Sequence, residues 1–163
     1  MEAIAEGLWG LADYHETKGE IAKAVKCLEA ICQSSVSFFP IVEVKTRLRI
    51  ATILLHYSHN SNHAKSHLER SQLLLKSIPS CFELKCRAYS LLSQCYHLIG
   101  AIQPQKQVLF KGLHLAASVG NDLDCDLVLY LKPQYPSCRD PRYCGELESN
   151  VVGTISIVVK LQS

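Results

Sequence analysis

The sequence predicts an all-α fold made of repeated helical hairpins, on the basis of three observations. Apolar residues recur at helical spacing through most of residues 1–119. The stretch 45–79 contains two such amphipathic segments, joined by a polar turn at residues 59–62. Similar segments recur along the chain at a spacing of about 40 residues, which is typical of helical-repeat proteins.

The first hairpin is predicted at about residues 2–34. Its first helix ends near Gly19, because glycine readily takes the left-handed conformation that follows a helix. Helical periodicity indicates the first helix through Ile4, Leu8, Leu11 and Ala12. The second helix is predicted to bury Ile21, Ala24, Leu28 and Ile31.

Two further hairpins are predicted at about residues 41–78 and 82–119. In the turn of the second hairpin, Ser61 or Asn62 is expected to cap the following helix by accepting a hydrogen bond from a free backbone N–H. Pro79 ends this hairpin, because the residue before a proline is pushed out of the helical region. Pro104 is a suitable first-turn residue for the last helix.

The repeated pattern is typical of tetratricopeptide-like hairpins, in which a large residue is followed by leucine, a small residue and an aromatic one. The matching positions in the third and second hairpins are Tyr89, Leu92, Ser93 and Tyr96, and Leu48, Ala51, Thr52 and Leu55. The spacing exceeds the usual value of about 34 and overlaps that of HEAT-type hairpins. We therefore expect a right-handed solenoid of three repeats over residues 1–119.

The first helices of such a solenoid line a concave face, which generally binds segments of other proteins. The positions of the repeat that face this groove are Trp9, Asp13 and Glu16 in the first hairpin, Thr46, Arg49, Ile53 and His56 in the second, and Arg87, Ser90, Gln94 and His97 in the third. Trp9 has an alternative role as a side chain that fills the first hairpin.

Residues 120–163 lack the repeat pattern and are predicted to form a largely irregular tail. A short helix is possible at 122–131, where it would cover the open apolar end of the last hairpin. Residues 151–161 are rich in β-branched residues and strand-prone.

Charge and hydropathy exclude several classes of protein. Residues 41–120 carry ten Lys and Arg against three Asp and Glu, but charges spread over amphipathic helices favour a solvated face over a DNA-binding site. No apolar run approaches the roughly 20 residues of a membrane span. The N-terminus lacks the basic leader of a signal peptide, so a cytosolic or nuclear protein is expected.

No motif for catalysis, phosphate binding or cofactor binding is present, so we predict a non-enzymatic protein without cofactors. His63 and His67 have the spacing of metal ligands on one helix, but Glu69 does not share their face and a turn separates them from His56 and His59. No metal site is therefore predicted. The eight cysteines form no CxxC pair. A zinc site formed by Cys125, Cys138 and Cys144 is therefore a minor alternative to the absence of any metal site.

Residues 1–119 resemble the cohesin-loading factor family. The resemblance rests on GLWGLADYHETKGEIAKAVKCLEAICQS at 7–34, SHNSNHAKSHLERSQLLLKSIP at 58–79 and ELKCRAYSLLSQCYHLIG at 83–100. It implies a nuclear scaffold subunit of the cohesin loader that binds the N-terminal segment of the large HEAT-repeat subunit and supports cohesin association with chromatin and sister-chromatid cohesion. Because family members are several hundred residues long, a truncated form is expected.

The alternative function is a generic tetratricopeptide adaptor or co-chaperone that binds a short acidic tail through Arg49, Arg87 and nearby lysines. Such a groove needs basic residues at matching positions on adjacent helices. The first hairpin contributes Asp13 and Glu16 instead, which favours the loader interpretation.

Overall fold

The computed structural model describes residues 2–35 and 39–119, and every secondary-structure element in these ranges is helical, as predicted. The elements are α1 (Glu2–Thr17), α2 (Ile21–Ser35), α3 (Pro40–Ile53), a π-helical turn (Leu54–Ser58), α4 (Ser61–Lys76), α5 (Phe82–Ile99) and α6 (Ile102–Val119). The predicted helix at 122–131, the strand-prone segment and the cysteine cluster of the tail lie outside the described residues. None of the described helices is long and apolar enough to cross a bilayer.

The chain divides between Pro79 and Ser80 into two compact units. In the first unit α1 packs on α2, α2 on α3, and α3 on α4; in the second unit α5 packs on α6. The helices therefore pair as hairpins in both units. The stacking of three hairpins into a right-handed solenoid stays a prediction.

Fully buried alanines allow the helices of the first unit to approach one another closely. Ala12, Ala24, Ala51 and Ala64 have no exposed surface, and each lies on a different one of the four helices. Around them lie larger buried side chains, which are Leu28, Ile31, Val44, Leu48, Ile50 and Leu68. Their burial supplies most of the driving force for folding this unit.

The apolar face predicted for α1 is only partly buried. Ile4 is 60% exposed and Leu11 is 43% exposed, whereas Ala12 is fully buried and Leu8 is half-buried. Ile4 and Leu11 therefore keep the helical spacing without being buried. The helical period of α1 is as predicted. Its apolar positions are only partly buried because α1 packs on α2 along one side and meets α3 through polar side chains.

The turn between the π-helical turn and α4 differs in detail from the prediction. Asn60 is the capping residue: its Oδ1 accepts a hydrogen bond from the backbone N–H of His63 at 3.2 Å. Ser61 already belongs to the helix, so the prediction of Ser61 or Asn62 as the cap is wrong. His59 takes the left-handed conformation with φ 50° and ends the preceding helix. Gly19 has φ +75°, in agreement with its predicted role.

Leu68 has no exposed surface in the seam of the first unit. We expect Leu68→Ala to lower the free energy of unfolding by about 2–5 kcal/mol, because contacts are lost and a cavity remains. Chemical denaturation measures this change. Leu73→Ala is the matched control, since Leu73 lies on the same helix and is 57% exposed. Equal effects of the two substitutions would contradict the observed helix orientation.

The cap of α4 gives a second prediction. Asn60→Ala removes the acceptor for the His63 N–H and should cost about 0.5–2 kcal/mol of stability. Asn62→Ala changes the same residue type at an exposed position inside the first turn and should have little effect. Thermal unfolding of the two variants side by side checks the assignment, and a larger loss for Asn62→Ala would refute it.

Candidate partner-binding face on helices α1 and α3

Helices α1 and α3 meet through side chains that the sequence predicted to line a groove. The indole Nε1 of Trp9 donates a hydrogen bond to Thr46 Oγ1 at 3.2 Å. The Thr46 hydroxyl in turn donates to the carbonyl of Val42 at 2.7 Å. This chain of hydrogen bonds fixes the orientation of the half-buried Trp9 ring.

One helical turn further along α3, a guanidinium lies between two carboxylates of α1. Arg49 forms ion pairs with Asp13 and with Glu16, the latter at 3.1 Å between Nη2 and Oε2. The side chains of Arg49, Asp13 and Glu16 are 39%, 55% and 25% exposed. Exposed pairs of this kind each stabilise a fold by about 1 kcal/mol or less. Their main effect is to hold the charged groups in place on the surface.

Tyr57 completes this surface, although the sequence analysis did not identify it. Its hydroxyl donates a hydrogen bond to Glu16 Oε1 at 3.2 Å. Partial desolvation and the Glu16 carboxylate raise the pKa of Tyr57 above its usual value, so the phenol stays protonated and remains a donor. We call the surface formed by Trp9, Asp13, Glu16, Arg49 and Tyr57 the α1–α3 face.

The π-helical turn explains why Tyr57, and not His56, reaches Glu16. In a regular α-helix His56 would follow Arg49 by nearly two full turns and would share its face. The wider turn at Leu54–Ser58 takes an additional residue per turn, so the next residue, Tyr57, comes into line with Arg49. His56 is exposed, and its ring forms a T-shaped pair with the Tyr57 ring, with centroids 4.6 Å apart.

The other predicted groove residues are distributed differently. Ile53 is 3% exposed and Ser90 is 1% exposed, and the Thr46 side chain is fully buried. These three side chains are therefore buried in the packing of the helices and are not surface positions. On α5 of the second unit, Arg87 and Gln94 are half-buried and His97 is exposed.

A second polar cluster joins α2 to α4 and was missed by the sequence analysis. The Glu29 Oε1 atom lies 3.2 Å from His63 Nε2 and 3.6 Å from His67 Nε2. The two Nε2 atoms are 3.2 Å apart. Glu29 lies on α2, so spacing within α4 alone cannot identify it as a neighbour of the two histidines. The similarity of residues 24–29 to residues 64–69 was the signal that α2 and α4 are equivalent, neighbouring helices.

The network extends from His67 into the interior through α3. His67 Nδ1 lies 3.0 Å from Arg47 Nη1, which can only donate, and Arg47 Nε donates to Glu43 Oε1 at 2.7 Å. Desolvation, with the charge of Arg47 and the neighbouring His63, lowers the pKa of His67 to about 4. The His67 ring is therefore neutral near pH 7. Glu43 is fully buried and also lies 3.6 Å from Arg70 Nε.

Comparisons of the sequence with known proteins identify the family that it matches. The family described as cohesin loading factor matches residues 11–122. The chain is 65% identical over 125 residues to sister chromatid cohesion protein SCC4 of Arabidopsis thaliana, covering 77% of this chain and 17% of that protein. It is 34% identical over 120 residues to the MAU2 chromatid cohesion factor homolog of Aedes aegypti, covering 71% of this chain and 19% of that protein.

The similarity to a third protein extends further along the chain. The MAU2 chromatid cohesion factor homolog of Drosophila melanogaster is 28% identical over 151 residues, which cover 90% of this chain and 23% of that protein. The chain thus spans about a fifth of the length of the curated relatives it matches. No solved structure matches it. Since the family match covers more than half of the sequence, the chain belongs to the cohesin loading factor family.

Proposed function

We propose that this chain is a non-enzymatic subunit of a cohesin loader and works by binding another protein. Its partner is the N-terminal segment of the large HEAT-repeat loader subunit, and the complex brings cohesin to chromatin in the nucleus for sister-chromatid cohesion. Membership of the cohesin loading factor family and the names of its relatives support this function. Nuclear accumulation of a fluorescent fusion would test the location.

The observation that carries the proposal is the composition of the α1–α3 face. Trp9, Arg49 and Tyr57 belong to the three residue types that most often dominate binding energy at protein interfaces. Arg49 is 39% exposed and Tyr57 is 48% exposed, so both are accessible to a partner. Each is also held by a neighbouring side chain. Fixing these side chains on binding a partner therefore costs little additional conformational entropy.

The charge balance of the same face argues against the adaptor alternative. An acidic tail needs unpaired cations, but the Arg49 guanidinium is already neutralised by Asp13 and Glu16. The face carries two carboxylates for one guanidinium. An acidic peptide would meet a net negative surface and would be repelled.

We expect Trp9→Ala and Arg49→Glu each to weaken binding of the large subunit's N-terminal segment at least tenfold, which is about 1.4 kcal/mol. Fluorescence anisotropy with a labelled segment measures the affinity, and circular dichroism checks the fold. Lys26→Glu is the matched control for Arg49→Glu: it makes a comparable charge reversal at an exposed residue of α2 and should leave binding unchanged. Equal losses for Arg49→Glu and Lys26→Glu would contradict a specific role for this face.

An acidic C-terminal tail peptide tests the alternative in the same assay. We expect no measurable binding of this peptide. Tight binding that is lost in the Arg49→Glu, Arg87→Glu double variant would favour an adaptor or co-chaperone over a loader subunit.

A further inference from the structure

The cluster that joins α2 to α4 has the composition of a metal site and lies outside the α1–α3 face. His63 and His67 are one turn apart on α4, and Glu29 reaches them from α2. Their candidate ligand atoms are Glu29 Oε1, His63 Nε2 and His67 Nε2, and all three lie within 4.8 Å of one another. Two imidazoles and a carboxylate are ligands that zinc accepts in proteins.

The distances between these atoms match those around a zinc ion. Bonds of about 2.0–2.2 Å in tetrahedral geometry place neighbouring ligand atoms roughly 3.3–3.5 Å apart. The three separations in this cluster are 3.2, 3.2 and 3.6 Å. We propose that Glu29, His63 and His67 bind a zinc ion, which joins α2 to α4 and keeps its fourth position for water.

The exposure of the three ligands suits an ion that enters from solvent. The side chains of His63 and Glu29 are 39% and 32% exposed, whereas that of His67 is 9% exposed. The ion would therefore rest against His67 and be approached over the other two ligands.

The residues between the two histidines indicate what the ion would do. In the zinc-peptidase motif H-E-x-x-H, the glutamate after the first histidine acts as general base. Here Ala64 occupies that position. The site therefore lacks the group that activates a bound water, and its expected role is to clamp two hairpins together.

Arg47 sets a limit on the affinity. Coordination through His67 Nε2 places the ring proton on Nδ1, 3.0 Å from the Arg47 Nη1 donor. Metal ligation and this hydrogen bond exclude each other, so Nη1 must turn away while Nε keeps its bond to Glu43. A histidine ligand usually donates this proton to an acceptor. We therefore expect weaker binding than at a structural zinc site.

Cobalt(II) binding to the full chain tests the site, because its spectrum distinguishes ligand types. The eight cysteines are competing ligands, but thiolates produce a charge-transfer band in the near ultraviolet that histidine and carboxylate ligands do not. We expect one cobalt ion per chain with nitrogen and oxygen ligation, displaced by zinc. His63→Ala and Glu29→Gln should each weaken binding at least tenfold. His114→Ala, an exposed histidine of α6, is the control and should bind normally.

A second measurement is independent of the spectrum. Zinc bound to the folded chain should raise its thermal unfolding midpoint by mass action, and this increase should be absent in His63→Ala. His63 is half-exposed, so its replacement preserves the fold, which circular dichroism verifies. Absence of binding, thiolate ligation alone, or equal binding by wild type and His63→Ala would each overturn the zinc site. None of these results would bear on partner binding by the α1–α3 face.

Discussion

The buried Glu43 carboxylate is the constraint on which the first unit depends. Glu43 has no exposed surface, and an unpaired buried charge costs several kcal/mol. Arg47 compensates it from one turn away on α3, at 2.7 Å, and Arg70 approaches it from α4. Arg47 also contacts His67, so Glu43 is linked to α4 through both Arg47 and Arg70. Apolar burial drives the packing, and this network adds directional contacts between α3 and α4.

Helix α3 takes part in two polar networks of different energetic character. Arg47 and Arg49 are two residues apart and so point to nearly opposite sides of the helix. Arg47 enters the buried network towards α4, where loss of one partner leaves a charge uncompensated. Arg49 enters an exposed cluster towards α1, where water screens the charges. Substitutions on the Arg49 side should therefore cost less stability than substitutions on the Arg47 side.

Local patterns predicted most of the fold, and contacts between helices account for what they missed. The periodicity identified the helices, and Gly19 ended the first one as expected. The same pattern could not show that Leu11 stays 43% exposed, because the burial of a side chain depends on which other elements pack against it. It also could not anticipate the π-helical turn, which brings Tyr57 into the α1–α3 face. The pattern also could not predict that Glu29 lies beside His63 and His67, because these partners are on another helix.

The proposed zinc site joins α2 to α4, whereas the α1–α3 face lies on the other side of α3, and the two should act nearly independently. Zinc binding requires Arg47 to release His67, and the displaced hydrogen bond lies towards α4. The Arg49 cluster lies on the other side of α3, and its exposed ion pairs respond weakly to a charge beyond the helix, since a Debye length is about 8 Å at physiological ionic strength. Coupling between two sites needs an element that changes state with both. Helix α3 is held rigidly by Glu43 and by its buried apolar residues, so a metal clamp would stiffen the hairpins without changing how the α1–α3 face meets its partner.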